Sequence, residues 1–152
     1  MFEIKYRFAK NQPEVVNDID ELALRYEFFL GSLWLEKNDT KLSMDWNWIP
    51  LLDFALCLKF IYNQLSEQVQ GEEIFDFTES DATIAFRRDE DKCEIVPSFS
   101  NRSLMMSFIE FQEAVQLFCE KVITDILSKN KKLKNNVVFK NAMENAGLKI
   151  MP

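Results

Sequence analysis

Seven apolar residues, Leu104, Phe108, Phe111, Val115, Phe118, Val122 and Ile126, recur at spacings of four and three. That period places them on one stripe of a single long helix. Such a stripe has to be covered, and with no regular charge pairing beside it the cover is expected to be a sheet rather than a partner coil. Ser107 and Glu110 form a Ser-x-x-Glu capping pair for this helix, with Ser103 as an earlier candidate start.

The rest of the chain supplies strands and a second helix. Phe2, Ile4, Tyr6 and Phe8 alternate with Glu3, Lys5 and Arg7, the pattern of a half-buried strand that Asn11-Gln12-Pro13 ends. Leu22 to Tyr26 admits a short helix. The aromatic-rich run Phe28 to Glu36 contains Gly31 as a bulge or kink. Lys37 to Thr40 reads as a turn, Lys41 to Asp45 as a short returning strand, and Asp45-Trp46-Asn47-Trp48-Ile49-Pro50 as a loop.

Pro50 opens a helix to about Ser66, with proline at the tolerated first turn. It is apolar on nearly every side, so it reads as a core helix; the alternative leaves Leu56 and Phe60 as an interface. Ile74 to Phe77, Ala82 to Arg87 and Glu94 to Val96 then alternate with the acidic turns Glu79-Ser80-Asp81 and Asp89-Glu90-Asp91, which describes an antiparallel meander ended by Pro97. After the long helix, Lys129 to Lys134 is a basic break, followed by a short helix from Val137 to Ala146 that Gly147 closes. The expected fold is therefore α+β: one domain over residues 1–152, an antiparallel sheet against two main helices, with a basic segment at 129–152.

Charge narrows the function. Residues 1–128 hold 24 acidic and 12 basic side chains, whereas residues 129–152 hold one acidic and six basic. An acidic body favours a basic partner. The tail lysines follow a helix C-terminus, where the dipole favours cations, and lack interleaved aromatics, so nucleic acid is not the expected partner. No apolar run reaches membrane-spanning length, and the alternating N-terminus lacks a signal peptide's apolar run, so a cytoplasmic location with no membrane partner is expected. Cys57, Cys93 and Cys119 are odd in number and form no Cys-x-x-Cys pair; Cys57 and Cys119, inside helical apolar runs, are expected to be reduced structural thiols, and Cys93 is left open.

Catalysis has few candidates. The chain contains no histidine, the usual general base and metal ligand. Gly31, Gly71 and Gly147 stand apart, so no phosphate loop can be written and no cofactor is expected. Asp45 and Asp53, beside Trp46 and Trp48, are the carboxylates with aromatic neighbours; they allow a carboxylate-dependent hydrolase, although a turn and a helix's first turn account for both. Asp89, Glu90, Asp91 and Glu94 could attract a hard cation but lack the calcium-loop glycine. Binding is the better-supported class. The candidate partner-contacting residues are Glu72, Glu73, Asp76, Glu79, Asp81, Asp89, Glu90 and Asp91, with Trp46 and Trp48 as either core residues or exposed anchors.

One arrangement adds to this reading. A tryptophan-bearing segment leads into a Pro-Leu-Leu-Asp-Phe-Ala helix at residues 50–55, followed by Phe75-Asp76-Phe77-Thr78-Glu79, Ile84-Ala85-Phe86-Arg87-Arg88 and a long phenylalanine-rich helix. Over residues 30–128 this resembles the small acidic immunity proteins of bacterial polymorphic and contact-dependent growth-inhibition toxin systems. The resemblance implies a cytoplasmic protein that binds one cognate toxin domain, with a basic nuclease as the suitable target, and carries no catalytic residues over. An adaptor, or a module self-associating through its long helix, is the other non-catalytic expectation.

Overall fold

A computed structural model describes residues 1–15 and 18–148. The end of the basic segment, 149–152, lies outside the described residues. The fold is α+β, as the periodicities predict, and its strands divide into two antiparallel sheets rather than one.

The first sheet has the order β1-β2-β3, formed by Phe2–Phe8, Leu30–Lys37 and Thr40–Pro50. Between β1 and β2 lies the short helix α1, Glu21–Tyr26, capped by the Asp20 carboxylate accepting from Ala23 N–H. Asn38, at φ 54°, makes the tight turn into β3, with Lys37 and Thr40 paired on either side. Leu33, Leu35, Leu42 and Met44 are buried on the core side of this sheet.

The second sheet is the meander, β4-β5-β6-β7, formed by Gln70–Asp76, Thr83–Asp89, Lys92–Pro97 and Leu104–Ser107. Its first three strands overlap the expected runs with shifted ends, Phe77 and Ala82 falling just outside β4 and β5. The fourth corrects the sequence reading, because Leu104 belongs to β7 and not to the helical seam. Residues 104 and 108 share a face both in a strand, where side chains repeat every two, and in a helix, where i and i+4 align, so the apolar spacing could not tell them apart. The long helix α3 runs Phe108–Lys129, and the Ser107 hydroxyl accepts from Glu110 N–H at 3.0 Å. Ser107, not Ser103, is thus the cap.

Helix α2, Leu51–Ser66, packs antiparallel against α3: the Phe54 ring meets Phe118, and eight residues later Tyr62 stacks on Phe108. Each helix packs against both sheets. Phe54 also meets Phe75 of the meander, and Phe118 meets Tyr6 of β1. Phe111, Val115, Phe118, Val122 and Ile126 are buried, as the seam requires. Leu56 is buried too, whereas Phe60 is 55% exposed. The basic break becomes a 3-10 turn, Lys131–Asn135, that buries Leu133, and the last helix, α4, spans Val137–Asn145 with Gly147 at φ +74° behind it.

Asp53 does more than complement the α2 dipole. It is buried and accepts from Arg25 Nε at 2.6 Å, tying α1 to α2. Burial pushes the Asp53 carboxyl up, and the Arg25 guanidinium pulls it part of the way back. Asp45 pairs with different groups, Arg7 and Ser32. The two aspartates thus serve separate ion pairs.

Candidate protein-binding surface

The tryptophan string is not a loop but the second half of β3, carried through a large bulge. Gly31 pairs with Ile49 and Leu33 with Met44, so β3 holds three residues more than β2 across this stretch. The surplus is absorbed around Asn47, whose φ of 62° lies in the left-handed region that asparagine tolerates. Buried Ser32 pins it: its hydroxyl donates to Asp45 Oδ1 at 2.8 Å and accepts from Asn47 N–H at 3.0 Å. A bulge of this kind re-aims side chains. Here it brings Trp46 and Trp48 together, stacked with ring centroids 5.2 Å apart and planes at 12°.

Phe77 and Phe99 wall the pair. Their ring centroids lie 5.2 and 5.1 Å from Trp46, both edge-on, and Phe77 also meets Trp48 at 5.9 Å. Trp46 and Trp48 are both half-buried, so each is partly core and partly surface. Ser32, Asn47, Phe77 and Phe99 were not legible as site residues; the Trp-Asn-Trp string was the one local signal, since asparagine between large residues is a candidate for positive φ.

The meander places six of the eight candidate carboxylates at its two ends, three at each, and keeps Glu72 and Glu73 along β4. Successive turns of a meander lie at opposite ends, and β5 from Thr83 to Asp89 is about 20 Å long at 3.4 Å per residue. Asp76, Glu79 and Asp81 are exposed at the end that carries Phe77, where Phe77 N–H donates to Ala82 O at 3.1 Å and closes the loop. This end adjoins the tryptophan pair. Asp89, Glu90 and Asp91 are exposed at the other end, with Glu90 at φ 56° in the tight turn and Asp89 accepting from Gln70 Nε2 at 2.9 Å. Glu72 is committed to Arg87 at 2.5 Å, and half-buried Glu73 pairs across from Phe86 on the inner side of the edge strand.

The outward face of the meander is partly apolar. Ile74, Ala85 and Val96 form one cross-strand row, and Glu72, Arg87, Glu94 and Met105 the next. Ile74 is 53% and Met105 51% exposed. Apolar residues ringed by charges are the composition of a protein-binding patch, in which an apolar centre is sealed by a polar rim.

The groups that could do covalent chemistry are held otherwise. Burial pushes the Cys57 thiol up to about 11 and those of Cys93 and Cys119 up to about 12, so all three stay protonated at neutral pH. Among the described residues no group of three or more His, Cys, Asp or Glu side chains is arranged to hold a metal ion. Nor is any helix among them long and apolar enough to cross a membrane. Comparison with known proteins finds no matching family model, no matching curated protein and no matching solved structure.

Proposed function

We propose that this protein is an immunity-type inhibitor, acting in the cytoplasm by binding a cognate toxin domain whose surface is basic, of the kind a nuclease presents to phosphate. The reading rests on one observation: a stacked tryptophan pair, held half-exposed by a pinned bulge, packs against Phe77, at the end of the meander whose turn carries the exposed Asp76, Glu79 and Asp81. Tryptophan is enriched among residues that dominate binding energy, and a rigid anchor loses little entropy on association. Arginine is the natural complement, since its planar guanidinium stacks on aromatic faces and reaches carboxylates with two donors. The acidic body adds long-range attraction and speeds encounter.

A basic toxin domain is expected to be encoded beside this chain's gene, and the test is a titration against it. The expected result is a one-to-one complex with a dissociation constant on the order of nanomolar, loss of nuclease activity at stoichiometric inhibitor, and slower association as salt rises. Absence of a complex at micromolar concentrations of both proteins contradicts the proposal.

A further inference from the structure

The first sheet ends in an unpaired edge beside an open groove of about 910 Å³, lined by Met1, by residues 2–6 of β1 and by Glu110, Glu113, Leu117 and Lys121 of α3 among others. Backbone groups along a strand alternate in direction. Ala9 N–H donates to Leu30 O in β2, whereas Phe2 N–H turns the other way and donates to Glu110 Oε2 at 3.1 Å. Odd-numbered residues of β1 therefore bond β2, and the N–H and C=O groups of Ile4 and Tyr6 face the groove. Helix α3 runs alongside in the same direction, with Glu110 at Phe2 and both Phe118 and Asp125 at Tyr6. Leu117, 53% exposed, lines the same groove as Ile4.

Each wall of the groove is self-complementary in charge about a central apolar residue. On β1, Glu3 and Lys5 flank Ile4; on α3, Glu113 and Lys121 flank Leu117 at equal distance. We infer that the occupant of this groove is a second copy of the chain, related by a two-fold axis through Ile4 and Leu117. Antiparallel pairing of Ile4 with the second copy's Ile4 places Glu3 opposite its Lys5, and the reverse. The two Ile4 residues exchange backbone hydrogen bonds, and each Tyr6 N–H donates to the other copy's Phe2 carbonyl, making one continuous sheet. Above it the two α3 helices cross antiparallel, Leu117 on Leu117, with each Glu113 meeting the other copy's Lys121. Pairing in this way removes an exposed strand edge, which is otherwise an aggregation liability.

Sedimentation of the full chain at micromolar concentration tests this, and needs no toxin, so its outcome is independent of the proposed function. A dimer is expected for the wild type. Ile4→Pro removes an outward N–H that β2 does not use, a position where an edge strand accepts proline, and should give a folded monomer. Glu113→Lys turns both helix pairs repulsive and should raise the dissociation constant about tenfold, and adding Lys121→Glu should restore it. A monomeric wild type overturns the inference and leaves the groove to a strand of another protein. So does a dimer that both Ile4→Pro and Glu113→Lys leave intact.

Discussion

Phe118→Ala is expected to lower the unfolding free energy by about 3–5 kcal/mol, the range for a buried phenylalanine truncated in a close-packed core. Phe118 is 1% exposed and touches both layers, with Tyr6 on β1 at 5.6 Å and Phe54 on α2 at 5.8 Å, each ring edge-on. The hole left behind cannot be filled from one side, because the helices are held from the other by the meander. Urea denaturation reads this as a lower midpoint with an unchanged slope. Phe60→Ala, on the exposed side of α2, is the control and should hardly move the midpoint. Equal effects from the two substitutions would mean that the α2–α3 contact is not the centre of the core.

Gly31→Ala should be nearly as damaging for a different reason. A Cβ at residue 31 would lie 2.1 Å from the Arg7 carbonyl oxygen and 2.7 Å from Leu51 Cδ1. The first neighbour is backbone, paired in the β1–β2 ladder, so it cannot swing away as a side chain could. The expected cost is about 3 kcal/mol, at the upper end of overpacking effects. Thermal melting of the variant checks it. A melting temperature within a degree or two of the wild type would show that β1 shifts freely along this edge.

Much of the fold was legible because local periods carry it. The α2 and α3 stripes, the alternation in β1, the turns at Asn38 and at Asp89-Glu90-Asp91 and the closing glycine at 147 are consequences of short-range sterics and burial. Gly31 was readable as a bulge or kink, since glycine in a strand marks an irregularity or a close approach. What could not be read was long-range partnership. Two sheets rather than one follow from which strands meet in space, and nothing near β3 or β4 encodes that they belong to different sheets. The Gln70-Gly71-Glu72-Glu73 start of β4 was hidden because this edge strand carries charge on both faces, Glu72 toward water and Arg87 and Glu73 on the half-buried inner side.

The candidate surface was half legible. Trp46 and Trp48 stand out as rare residues with one asparagine between them, and the structure stacks them, but their walls come from positions 77 and 99, distant in sequence. The carboxylates are visible as acidic turns, whereas their division between two ends of the sheet is not. Strand direction reverses at every turn of a meander, so Glu79-Ser80-Asp81 and Asp89-Glu90-Asp91 fall at opposite ends of β5. Asp53 looked like a helix-dipole charge because its cation, Arg25, lies on another helix 28 positions away.

That division of charge makes the binding account testable at one point. The measurement is the association rate of the cognate toxin domain with the wild type, with Glu79→Lys/Asp81→Lys and with Asp89→Lys/Asp91→Lys, each at low and high salt. If the tryptophan platform and its adjoining carboxylates form the interface, reversal at Glu79 and Asp81 slows association about tenfold at low salt, reversal at Asp89 and Asp91 does less, and salt narrows the gap. An undiminished rate for the Glu79→Lys/Asp81→Lys protein would contradict the account.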